Sequence, residues 1–203
     1  MEMEIRRSRF LTRLRRITAE QDARNIIEER RKVHFDAAHH CSAFVLGPDA
    51  RTMRSSDDGE PAGTAGAPML GVLTSNALTD VVAVVTRYFG GIKLGAGGLV
   101  RAYSDAVAQA VDAAGRRTVR LATQLAIDTP LAEAGALEGQ LRNLVLPSGT
   151  PVVVEDVEWG TSARILVAVP SDQRAEFDQA LTSLTSGALV AEATGQRWTD
   201  QLP

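Results

Sequence analysis

At 203 residues, with 44% apolar and 23% charged side chains, the chain has the balance of a folded protein and the length for one full core or two small ones; two small domains are expected. A formal charge of -3 excludes a global field that draws in nucleic acid, and a single cysteine, Cys41, excludes an internal disulfide or a cysteine-built zinc site. The longest aliphatic run, Val81 to Val85, is far short of the ~20 residues of a membrane span, and MEMEIRRSRF holds no apolar signal core, so a cytoplasmic protein without membrane contact is expected.

Residues 5–17 mix arginine with Ile5, Phe10, Leu11, Leu14 and Ile17 and read as one short strand. Between Glu4 and Glu20 lie Arg6, Arg7, Arg9, Arg13, Arg15 and Arg16 with no acid among them. A local basic stripe and a charge-protected edge strand both fit. Thr18 and Gln21 read as a capping box opening a helix to about Lys32, with Ala19, Ala23, Ile26 and Ile27 facing inward. HHCSAFVLG reads as a strand stopped at Gly47-Pro48, residues 49–61 as a loop or hairpin, and GTAGAPMLGVLTSN as a short helix with Pro68 in its first turn. DVVAVVTRYF is apolar on both faces and predicts a buried central strand.

A helix with Leu99, Tyr103, Val107, Ala110, Val111 and Ala114 on its inner stripe follows, and Gly115 stops it. From Thr118 the texture changes. VRLATQLAID alternates as a strand, and Pro130 opens a helix with Leu131, Ala134, Leu137, Leu141 and Leu144 inward. PVVVEDVEW and SARILVAVP form a hairpin around Gly160, Ser171 caps a helix through Phe177, Leu181 and Leu184, and ALVAEATG closes as a strand. The order β-α-β-β-α-β is that of a ferredoxin-like sandwich.

Between the central strand and the long helix stands TRYFGGIKLGAGGLVR, with Gly90, Gly91, Gly95, Gly97 and Gly98 among Arg87, Lys93 and Arg101. Glycines leading into a helix expose backbone amides and the positive end of the helix dipole, a setting for an anion; a tight strand-to-helix turn explains them equally well. No Walker loop is present, because Leu94 follows Lys93 and no Ser or Thr holds Mg²⁺, and the spacing misses the dinucleotide fingerprint. SSDDGEPAGTAG gathers Asp57, Asp58 and Glu60, which as carboxylates can bind a cation or move a proton but also suit a plain turn, the better reading on spacing alone. In HFDAAHHC, His39 and Cys41 share one strand face and His40 takes the other, which speaks against a metal site. A sharper reading pairs His34 with Asp36 to fix the loop and sends His39 to the glycine loop.

Together HFDAAHHCSAF, RSSDDGEPAGTAGAPML and VVAVVTRYFGGIKLGAGGLVRAYSDAV resemble the IMPACT family, whose bacterial members are the YigZ-like proteins. The resemblance is specific over residues 5–112 and beyond Thr118 rests on element order. It implies an α+β protein: an N-terminal domain of the ribosomal protein S5 domain 2 fold at 1–116 and a C-terminal ferredoxin-like domain at 117–203, a layout similar to the fourth and fifth domains of elongation factor G. The chain departs from the family pattern at Phe35, usually proline, at Ser42, usually an aromatic, and at Ala62, usually serine.

The resemblance implies a role in translation control; the binding of a stress-kinase activator by eukaryotic relatives is not carried over. The leading expectation is a non-catalytic partner of RNA, the ribosome or a translation factor, with Arg9, Arg13, Arg87, Lys93, Arg101 and the glycines from Gly90 to Gly98 forming the basic face. The second is an enzyme holding a phosphorylated small molecule at the loop, with Asp57, Asp58, Glu60 or His39 as acid, base or metal ligand. The third is an interaction module using the C-terminal sheet face. No cofactor and no resident metal are expected.

Overall fold

The computed structural model describes residues 1–200, and their contacts divide the chain after Arg116 into two units. In the first, β1 (Glu2–Ile5) and β2 (Ser8–Arg16) pair as a hairpin whose turn is Arg6 and Arg7, both in the left-handed region at φ 47° and 66°. That two-residue geometry matches the twist of the flanking strands and ordinarily selects Asn or Gly. The one strand expected over 5–17 is therefore two, because a pair of arginines carries no turn signal.

Helix α1 (Glu20–Val33) is capped differently from the expected Thr18 and Gln21 box. The Asp22 carboxylate accepts from the Thr18 and Ala19 N–H groups, each at 2.9 Å, and from the Thr18 hydroxyl at 3.0 Å. Gln21 donates to Asn25 instead. An ionised acceptor in the first turn also complements the helix dipole, which a neutral glutamine does not.

The unit continues through β3 (His39–Leu46), β4 (Thr52–Ser56), α2 (Gly66–Ser75), β5 (Val81–Tyr88) and α3 (Ala96–Ala114). The sheet runs β1-β2-β5-β3-β4 with antiparallel neighbours throughout, so β5 is central. Its two faces feed two cores. Ala83 and Val85 join Phe10, Cys41, Ala43 and Val45 beneath α2 and α3. Val82 and Val84 join Phe44 and Leu46 beneath Ala23, Ile26 and Ile27 of α1. A strand covered on both sides has no apolar-polar alternation, which is why VVAVV reads as a continuous run.

The second unit holds β6 (Val119–Thr129), α4 (Leu131–Arg142), β7 (Val153–Trp159), β8 (Ala163–Pro170), a 3-10 turn (Ser171–Gln173), α5 (Arg174–Thr185) and β9 (Glu192–Asp200). The sheet order β7-β8-β6-β9, all antiparallel, is the ferredoxin-like sandwich. Leu125, Ile127, Ile165 and Val167 pack against Leu137 and Leu141 of α4 and Phe177 and Leu181 of α5. Ser171 does not cap α5; its hydroxyl lies 2.8 Å from that of Thr123. The last strand begins at Glu192, later than expected, because Leu189 and Ala191 turn into the core first. The fold is thus α+β, an S5 domain 2-like unit followed by a ferredoxin-like one. Among the described residues no helix is long and apolar enough to cross a membrane.

Candidate anion-binding interface

The loop after β5 is held against the Arg6-Arg7 turn by Gly90. Its N–H donates to the Ser8 hydroxyl at 3.2 Å, and a Cβ built on it would lie 2.1 Å from the Arg7 carbonyl carbon. Only glycine permits that approach. Beyond it, Gly91 and Gly95 take positive φ at 83° and 72°, and the first intrachain acceptance is the Leu99 N–H on the Gly95 carbonyl at 2.9 Å. The N–H groups of residues 91–98 have no acceptor among the described residues.

Helix α3, 19 residues long, starts at this loop with no side-chain cap and no acid in its first turn. The positive end of its dipole is therefore uncompensated from within the chain. Lys93 is exposed in the loop that leads into the helix, and Arg6 and Arg7 are exposed in the turn that Gly90 meets. Arg101, also exposed, folds back so that its Nε donates to the Gly97 carbonyl at 3.3 Å.

Arg87 lies underneath this surface rather than on it. Along β5 it shares a face with Ala83 and Val85, 5% exposed. Its Nη1 donates to Glu60 Oε1 at 2.6 Å, and the Tyr103 hydroxyl donates to the same oxygen at 2.7 Å. The guanidinium sits 5.5 Å from the Phe10 ring centroid and 5.6 Å from that of Phe89. Arg9 and Arg13 point from the opposite face of the sheet. Arg9 pairs with Glu2 at 2.7 Å over the Tyr88 ring, and Arg13 is exposed. The basic face drawn through Arg87, Arg9 and Arg13 is thus divided by the sheet, since side chains of odd and even positions leave a strand on opposite sides.

The three acidic candidates are each occupied. Asp57 accepts from the N–H groups of Gly63 at 2.8 Å, Ala65 at 3.0 Å and Gly66 at 2.7 Å, capping α2. Burial pushes its carboxyl up, but the three backbone donors together outweigh this and hold it below the ordinary value. Asp58 accepts from Arg31 at 2.7 Å and from the His40 N–H at 2.6 Å. Glu60, 8% exposed, is taken by Arg87 and Tyr103.

His39 does not reach the glycine loop. Its Nδ1 donates to the Asp58 carbonyl at 2.8 Å and its Nε2 lies 3.9 Å from Glu60 Oε2. His34 and Asp36 are joined through Tyr88, whose hydroxyl donates to Asp36 at 3.1 Å and lies 2.9 Å from His34 Nδ1. Phe35, between them in the chain, is 85% exposed. Burial pushes the Cys41 thiol up to about 12, against the Tyr103 hydroxyl bond that lowers it. Among the described residues no three His, Cys, Asp or Glu side chains converge as a metal site.

Tyr103, read from the sequence only as helix core, thus completes the buried polar cluster, and Ser8 ties Gly90 to the hairpin. Neither carried a signal, since both bonds span more than 40 positions.

A glycine-led helix on an antiparallel S5-like sheet, followed by a ferredoxin-like unit, defines a two-domain class of α+β protein. The Impact N-terminal domain family matches residues 6–111, and a domain of unknown function, DUF1949, matches residues 136–188. The chain is 39% identical over 189 residues to the IMPACT family member YvyE of Bacillus subtilis, covering 92% of this chain and 83% of that one. It is 39% identical over 188 residues to the IMPACT family member YigZ of Escherichia coli, covering 92% and 89%. The crystal structure of a protein described as hypothetical is 34% identical, covers 96% of this chain and 93% of that one, and superposes with a TM-score of 0.60. The chain belongs to the IMPACT family.

Proposed function

We propose that this chain is a cytoplasmic, non-catalytic protein of translation control that docks on RNA, free or in the ribosome, through the surface made by the glycine loop and the Arg6-Arg7 turn. Family membership supports the setting. One geometric observation carries the binding mode: the N–H groups of residues 91–98 are without intrachain acceptors, and Gly90 presses their loop against a turn of two exposed arginines. Amides, Lys93 and the arginines then contact phosphates, which positions the protein without reading base sequence.

Catalysis at the same loop is less well supported. It draws on Asp57, Asp58 and Glu60, and these carboxylates are engaged in capping α2, holding Arg31 and neutralising Arg87.

Co-sedimentation with ribosomes and with ribosomal RNA at rising salt tests the proposal. Binding is expected to weaken steeply with salt, and each cation removed by Arg6→Glu, Arg7→Glu or Lys93→Glu is expected to lower the log-log salt slope by about 1. Binding indifferent to salt and to all three reversals would overturn it.

A further inference from the structure

The second unit carries a cavity of about 470 Å³, which shares no residue with the glycine loop. It lies on the sheet face turned away from α4 and α5. Leu125, Ile127, Ile165 and Val167 point to the helices, so their strand neighbours Ala122, Ala168, Pro170 and Val153 point to the other side, in paired positions across β6, β8 and β7. Two alanines between longer residues leave a shallow hollow.

A wall rises from the segment between α4 and β7, where Gly149, Thr150 and Pro151 line the cavity. This wall is pinned in place. The Leu146 N–H donates to the Thr150 carbonyl at 2.8 Å and the Val152 N–H to the Leu144 carbonyl at 2.9 Å.

Arg120 and Arg197 stand on the far side, diagonal to each other across the β6-β9 register, with Thr199 opposite Arg120. Arg197 is paired with Glu155, which also accepts from Gln124 at 3.0 Å, and Asp200 faces Arg117. Arg120 has no acid or other polar partner among the described residues, and it lines the cavity. A preformed, mainly apolar hollow with one unneutralised guanidinium at its rim has the size and make-up of a small-molecule site. Its flat floor of small side chains suits a flat ring, and the planar guanidinium suits an oxyanion.

We propose that this hollow binds a small flat-bodied organic anion, its ring over Ala122, Ala168 and Pro170 and its phosphate or carboxylate on Arg120. Mononucleotides and aromatic carboxylates share that chemistry. Saturation-transfer NMR and titration on the full chain, with adenosine monophosphate and phenylacetate as probes and adenosine and inorganic phosphate as controls, separate the two sources.

At least one of the two anions is expected to bind more tightly than both controls. Arg120→Gln is expected to weaken it at least tenfold, and Ala168→Leu to abolish it by filling the hollow. Thermal melts confirm the fold of each variant, and if Ala168→Leu fails to fold, Arg120→Gln alone decides. No binding of either anion, binding unchanged by Arg120→Gln, or adenosine bound as well as its monophosphate would overturn the assignment.

Discussion

A single oxygen of Glu60 holds two donors, Arg87 at 2.6 Å and Tyr103 at 2.7 Å, where water is nearly absent. Removing one member of such a pair strands the other charge, which costs more than the pair contributes. Glu60→Gln is therefore expected to destabilise the first unit by about 3–5 kcal/mol in chemical denaturation; a loss below about 1 kcal/mol would show that the cluster is not closed to solvent. Cys41 belongs to the same cluster, and with its thiol pushed up to about 12 it has almost no nucleophilic thiolate at neutral pH. Native protein is expected to resist iodoacetamide at pH 8 and to react once unfolded; fast labelling of the native state would contradict the buried assignment. The burial of Arg87 was not legible in the sequence, because a cation at the end of a strand, next to a glycine loop with Lys93 and Arg101, reads as part of an exposed basic face. Its counter-charge lies 27 positions away, and no local pattern encodes that pairing.

At the level of elements, the helices and the central strand were legible because periodicity reports which faces are covered. Turns and caps were less so. The Arg6-Arg7 turn uses residues that bear left-handed backbone only when the hairpin imposes it. The first turn of α2 depends on a side chain nine positions away, Asp57. Gly66 is needed there as well, since a Cβ would come within 2.7 Å of the Ser56 nitrogen. Asp57→Asn replaces one accepting oxygen by an amide nitrogen that cannot accept, and is expected to cost about 1–3 kcal/mol, the range for a donor left without its partner. Because the folded state holds this carboxyl below its ordinary value, its contribution is complete above the unfolded-state pKa of about 4 and is lost as pH falls through the lower folded-state value. Denaturation midpoints of wild type and variant should therefore converge in acid. A gap that persists or widens there would contradict the carboxylate as the cap.

For the molecule as a whole, each unit encloses its own core, two beneath the S5-like sheet's faces and one in the ferredoxin-like sandwich. A fragment of residues 117–203 is expected to unfold cooperatively on its own in a thermal melt followed by circular dichroism; a featureless melt would show that the second unit depends on the first. The ferredoxin-like order was readable from element sequence alone, since four strands and two helices in that order have one well-known way to bury both helices. What could not be read was which arginines share a surface, because that depends on strand register and on Gly90 meeting Arg7 just beyond the paired ends of β2 and β5. Amide hydrogen exchange at residues 91–98, with and without bound ribosomal RNA, tests most directly whether those donors form the contact surface. Rapid exchange is expected in the free chain and marked slowing in the complex. Amides already protected in the free chain, or unchanged while RNA is bound, would contradict that contact surface.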